Sequence, residues 1–167
     1  MFRLVSTVFP IVGLLAIAGC STSTPDTSAD LKAIAGVRDA YAAAFSAEDA
    51  DKTAAVFATD GIEMEPNMPN VAGQDAIRKR YTDMMAGFDT DIQLKSEETV
   101  VNGDWAFDRG QFWLHVMSKD PKSTLPMVMD QGKYLVILRK QADGGWKISR
   151  AASSTSIAPP PQPAPGK

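Results

Sequence analysis

Cysteine and histidine are almost absent. The chain of 167 residues holds one of each, Cys20 and His115. No disulfide can form within it, so the fold rests on its packed core alone. A transition-metal site would need several thiolate or imidazole ligands, and they are not there. A lone histidine also gives no convincing Ser-His-Asp arrangement. The glycines are scattered at turns and form no phosphate-cradling loop. Positive charge is short as well: 17 Lys and Arg stand against 20 Asp and Glu, a net charge of −3. Nucleic-acid binding needs a basic footprint, and so does electrostatic docking on anionic lipid. The composition therefore predicts no cofactor, no metal and no nucleic-acid partner.

The one long apolar run follows Arg3, from Leu4 to Ala18, and closes in small residues. That is the form of a secretory signal, too short and wrongly flanked for a membrane-spanning helix. Ala18 and Gly19 beside Cys20 resemble the lipobox of bacterial lipoproteins. The resemblance implies cleavage before Cys20, a diacylglycerol on its thiol and an acylated new N-terminus; several acyl chains hold a membrane stably. It places the protein in a bacterial cell envelope, lipid-anchored and facing the periplasm. Ser21 after the cysteine favours the outer membrane in a diderm host. Losing Arg3 makes the mature net charge −4.

Four segments follow: 1–19 is the signal peptide, 20–29 the lipidated cysteine and a polar, flexible tether, 30–157 one folded domain, and 158–167 a tail. The tail carries Pro159, Pro160, Pro161, Pro163 and Pro165 and cannot pack a core.

Within 30–157, helical spacing comes first. Leu31, Ile34, Val37, Tyr41, Ala44 and Phe45 share one face, with Asp30 or Ser28 as cap. Asp51 is placed to cap a short second helix through Ala54, Ala55 and Phe57, ended by Gly61. Ile62–Glu65 reads as a short extended piece. A third helix carries Ile77, Tyr81, Met84, Met85 and Phe88. Strand patterns follow over Thr90–Val101, Trp105–Met117, Met127–Lys140 and Trp146–Ile157, with Asn102-Gly103 as a strong hairpin signal. Helices first and a meander after them predict an α+β fold, with the helices on one face of a curved antiparallel sheet.

Phe57-Ala58-Thr59-Asp60-Gly61, Gly73-Gln74-Asp75-Ala76-Ile77-Arg78 and Gly144-Gly145-Trp146-Lys147-Ile148 resemble the SnoaL-like branch of the nuclear-transport-factor-2-like superfamily, relatives of ketosteroid isomerase. The resemblance implies a cone: a bent sheet wraps a long helix and leaves an apolar cavity open at one end. It also implies roles for two residues. Glu65, before Pro66, stands where the isomerases have a carboxylate–proline pair that serves as general base. Tyr41 precedes it by the isomerases' own interval and matches their oxyanion donor. Val136 falls where those enzymes carry a second, acidic donor, and Asp130 lies too far along the strand to replace it. Losing one of two donors costs orders of magnitude in rate, so efficient steroid isomerisation is not expected.

The strand Trp105–Met117 alternates between two largely apolar faces. The odd face is assigned to the cavity, giving Phe107, Arg109, Gln111 and Trp113 as ligand contacts beside Phe45, Met64, Tyr81, Met84, Tyr134 and Val136. The even face, with Leu114 at its centre, is assigned to a homodimer interface, the surface through which relatives pair. Met64, Met68, Met84, Met85, Met127 and Met129 fall at expected cavity positions, where an adaptable side chain suits a loosely shaped ligand. The expected function is binding of a small apolar or amphipathic molecule. Two alternatives remain: an acid–base enzyme (isomerase, dehydratase or hydrolase) using Glu65 and Tyr41, and an accessory protein that binds an envelope partner.

Overall fold

The computed structural model describes residues 26–124 and 127–157. Cys20, the signal segment, most of the tether and the tail at 158–167 lie outside the described residues. No helix among the described residues is long and apolar enough to cross a membrane.

Helix α1 spans Ser28–Ser46, so the domain begins two residues before the expected boundary. Its first turn is closed by backbone, Leu31 N–H donating to Thr27 O at 2.9 Å, while the Asp26 carboxylate accepts the Ser28 amide. Asp30 does not cap. It accepts the Trp146 indole N–H at 2.9 Å and pairs with Lys140 at 2.8 Å, tying the start of α1 to the end of the sheet. Helix α2, Ala50–Ala55, is capped by Asp49, which accepts the Lys52 amide, and not by Asp51. Phe57 is not in that helix but opens strand β1, Phe57–Met64. After the two-residue strand β2, Val71–Ala72, helix α3 runs over Gln74–Gly87.

The long strands β3 (Phe88–Asn102), β4 (Trp105–Ser118), β5 (Val128–Lys140) and β6 (Trp146–Thr155) form the antiparallel meander. Gly103 takes the positive φ (60°) that the two-residue β3–β4 loop needs at its first position. The sheet order is β2-β1-β6-β5-β4-β3, and β1 pairs parallel to β6. The sheet is therefore mixed rather than wholly antiparallel. Local hydrophobic pattern identifies β1 as extended, but the distant strand it joins is set by long-range contacts.

Curvature is built in by irregular pairing. The β3–β4 register shifts between Ser96 and Glu98, opposite Gly110. A Cβ on Gly110 would stand 2.0 Å from Lys95 O, so only glycine permits the approach of the two strands there. Helices α1 and α3 lie in the resulting hollow. Ile34, Phe45, Phe57, Ile77, Tyr81, Leu138 and Trp146 join in the core between them and the sheet.

The alternation of β4 is as expected, but its faces are reversed. Ala106, Asp108, Gly110 and Phe112 are buried and Leu114 faces inward. Trp105, Arg109, Trp113, His115 and Met117 are exposed. Arg109 explains the choice. It pairs with Glu97 at 3.0 Å and Glu98 at 2.6 Å, and such a cluster of charges stays in water. On the other parity Ala106 and Phe112 are buried, and Gly110 admits the β3 backbone.

Candidate functional site

An apolar cavity of about 150 Å³ lies between α1, α3 and the concave face of the sheet. Strand pairing organises its floor. Glu63 on β1 lies opposite Ala151 on β6, Ala151 opposite Val136 on β5, and Val136 opposite Asp108 on β4. Within one row of the sheet two carboxylates thus flank two small apolar residues. Both carboxylates are almost fully buried, Glu63 at 2% exposure and Asp108 at 1%.

At the Glu63 end, the Tyr81 hydroxyl donates to Oε1, and the Tyr41 and Tyr81 hydroxyls are 3.0 Å apart. A phenol has a single proton. With Tyr81 donating to Glu63, Tyr41 must donate to Tyr81. The chain Tyr41→Tyr81→Glu63 therefore leaves Tyr41 no proton for a ligand while Glu63 is ionised. With Glu63 protonated the chain can run the other way, and Tyr41 then donates into the cavity. Burial pushes the Glu63 carboxyl above its ordinary value, opposed by the Tyr81 hydrogen bond and the Arg80 charge and reinforced by Glu65. Burial likewise raises Tyr41 and Tyr81, which remain neutral phenols. Arg80 on α3 brings its Nε to 3.2 Å from Glu63 Oε2 without hydrogen-bond alignment, and both of these buried atoms lack a hydrogen-bond partner.

At the other end, Asp108 Oδ1 accepts from the Ser96 and Thr99 hydroxyls and Oδ2 from Tyr134 at 3.0 Å. Burial and the neighbouring carboxylate raise the Tyr134 phenol. Arg38 on α1 holds its Nη1 3.7 Å from Asp108 Oδ2, while its Nε and Nη2 engage Asp39.

Tyr41, Glu65, Phe45, Tyr81, Met84, Tyr134 and Val136 all line the cavity. They are not assembled as expected. Tyr41 is bonded to Tyr81, and Glu65 sits one step beyond the end of β1, where it accepts from the Ser153 hydroxyl at 2.6 Å. Phe107, Arg109, Gln111 and Trp113 do not line the cavity, because their parity faces outward. Met64 also turns away from it: its neighbours Glu63 and Glu65 take the inward positions, and strand alternation sends Met64 to the opposite side. Of the other methionines, Met85 is core while Met68, Met127 and Met129 are exposed. Sequence reading missed Glu63, Arg80, Arg38 and Asp108. A signal for Glu63 existed, since it shares the parity of Glu65 in Glu63-Met64-Glu65. Asp108 was passed over with the wrong face of β4. It lies directly across from Val136, so an acid does occupy this part of the wall, one strand away from where the resemblance looked for it. No cluster of metal-ligating side chains occurs among the described residues.

No curated protein matches the sequence. Among solved structures, a ketosteroid isomerase-like protein from Erwinia carotovora atroseptica is 26% identical, with a TM-score of 0.70 over 78% of this chain and 99% of that one. A nuclear transport factor 2-like superfamily protein from Salmonella enterica matches at 17% identity and TM-score 0.69, over 79% of this chain and 94% of its own. A provisionally named scytalone dehydratase from Novosphingobium aromaticivorans matches at 20% and 0.65, over 77% and 85%. These likenesses agree with the cone of helices on a curved sheet. A family model matches residues 26–152, and the chain belongs to the SnoaL-like domain family.

Proposed function

We propose that the protein binds a small molecule with an apolar body and a polar group in this cavity. The carrying observation is the pair of buried, unpartnered atoms at its wall, Glu63 Oε2 and Arg80 Nε. The two atoms face each other at 3.2 Å without an aligned hydrogen bond, and a bound polar group would complete the bonding of this buried pair. Native mass spectrometry of protein purified from its own cells tests the reading. A bound molecule is expected, and it should be lost in Val136→Trp, which fills the floor of the cavity. Retention in that variant, or no bound mass in the parent, would reject it.

A second reading is acid–base catalysis, and the Tyr41–Tyr81–Glu63 chain favours it. A carboxyl with a raised pKa, wired to two phenols in an apolar site, can take a proton from a bound molecule and return one. On this reading the general base is Glu63 rather than Glu65, with Tyr41 as the group facing the substrate. The kinship with ketosteroid isomerase-like and dehydratase-named proteins makes isomerase and dehydratase reactions the ones to assay.

We also propose that the protein is an envelope lipoprotein anchored through Cys20, and that a Cys20→Ala variant would be unprocessed or released from membranes. Homodimerisation is proposed through the convex sheet face, where Val100, Trp105, Trp113, Leu135 and Ile137 are exposed together. Leu114 faces the cavity, so the informative substitution is Ile137→Glu, which should give a monomer in ultracentrifugation.

A further inference from the structure

The cavity has two polar ends with opposite hydrogen-bonding needs. Glu63 Oε2 accepts no hydrogen bond, although Arg80 Nε stands 3.2 Å from it. Arg38 is the reverse. It lines the cavity, and the 3.7 Å separation of its Nη1 from Asp108 Oδ2 is beyond hydrogen-bond reach. Asp108 does not depend on that arginine, since three hydroxyls already satisfy it.

Glu63 and Asp108 belong to one row of the sheet, Glu63–Ala151–Val136–Asp108, and Arg38 reaches the Asp108 end from α1. Three strand spacings of about 4.8 Å put the Glu63 and Asp108 Cα atoms roughly 14 Å apart along the sheet. Ala151 and Val136 form the apolar floor between. A volume of about 150 Å³ is that of a site holding one benzene-sized ring.

We infer that the cavity takes a single-ring molecule bearing a hydroxyl at one end, donated to Glu63, and a neutral carbonyl at the other, held by Arg38. Asp108 beside the same guanidinium disfavours a second carboxylate there. This inference rests on the binding reading above and adds the ligand class and its orientation.

Isothermal titration of the folded protein with four probes separates the two. Toluene tests whether the cavity accepts a ring at all. Phenol has the donor alone, acetophenone the acceptor alone, and 4-hydroxyacetophenone both. The expected order places 4-hydroxyacetophenone at least tenfold tighter than either single-ended probe. In Arg38→Met the advantage of 4-hydroxyacetophenone over phenol should fall to less than threefold. In Glu63→Gln its advantage over acetophenone should shrink likewise. Arg38→Lys, which keeps a donor, should restore part of the preference and guards against a folding defect. Equal affinities for all four probes, or a preference that survives Arg38→Met, would overturn the two-ended site and leave the binding reading standing. Failure of all four probes to bind, toluene included, would overturn both.

Discussion

The two faces of the central strands differ in a direction that composition does not suggest. The convex face of β4 is the aromatic one, with Trp105, Phe107 and Trp113, and it is largely exposed, Trp105 at 48%. The concave face carries Ala106, Asp108, Gly110 and Phe112 and is buried. Aromatic bulk does not decide which side becomes the interior. A closed set of hydrogen bonds for the one charge taken inside does, together with the close approach of β3 at Gly110. Asp108 has that set in Ser96, Thr99 and Tyr134, whereas Arg109 finds its acids only in water.

The sharpest way to break this comparison is a pair of matched truncations on β5. Leu138 is 1% exposed on the concave side and Leu135 is 45% exposed on the convex side. Leu138→Ala should cost about 2–5 kcal/mol, and Leu135→Ala under about 1 kcal/mol, in denaturant unfolding. Equal losses would mean that the faces are misassigned, or that a partner covers the convex side.

Next in size is the polar closure of the concave face. Tyr134→Phe removes one of the donors to Asp108 and should destabilise by about 1–3 kcal/mol in the same assay. A neutral result would show that Asp108 is not sustained by its hydroxyl partners.

A smaller effect is a pH dependence confined to Glu63. Its folded-state pKa is raised above the ordinary 4.5. Between 4.5 and that higher value the folded state holds the proton more tightly than the unfolded chain does. The stabilisation from the protonated form is thus full below 4.5 and lost as pH rises through the folded pKa. Thermal unfolding at stepped pH should show Glu63→Gln gaining on the parent over this window. A parallel pair of curves would mean that Arg80 and Tyr81 fully offset the burial.

The smallest effect belongs to the charges outside. Arg109→Ala breaks two exposed ion pairs and should leave the unfolding midpoint unchanged within error, because surface pairs contribute little. A clear loss would place Arg109 in a covered interface.

Much of the fold was legible because it is local. The three-and-four spacing of Ile34, Tyr41 and Phe45, the Asn102-Gly103 turn and the length of the four final strands each follow from short-range chemistry. Errors arose where two local readings were equally good. Asp49 and Asp51 both suit a helix cap, and only the backbone geometry selects Asp49. Both faces of Trp105–Met117 are apolar enough to be buried, so the pattern alone could not choose between them. The site was half legible for the same reason. Tyr41, Tyr81 and Tyr134 could be picked as inward residues on their own elements, but their partners come from other elements. Tyr41 meets Tyr81 across 40 positions, and Tyr134 meets Asp108 across 26.

The sequence by itself determined the three helices and the four final strands in their order, the lack of a cysteine pair for a disulfide within the chain, and membership of a cone-shaped family. All of these depend on residues near one another or on composition. Only the tertiary structure decided that β1 joins β6 in parallel, and hence that Glu63 and Asp108 share one row of the sheet. It also decided which glutamate lies buried among phenols. Register and facing are collective properties: a shift of one residue along a strand exchanges its two faces. The hydrogen bonds that Ser96, Thr99 and Tyr134 bring to Asp108 from other strands fix that choice, and no single segment of the chain encodes it.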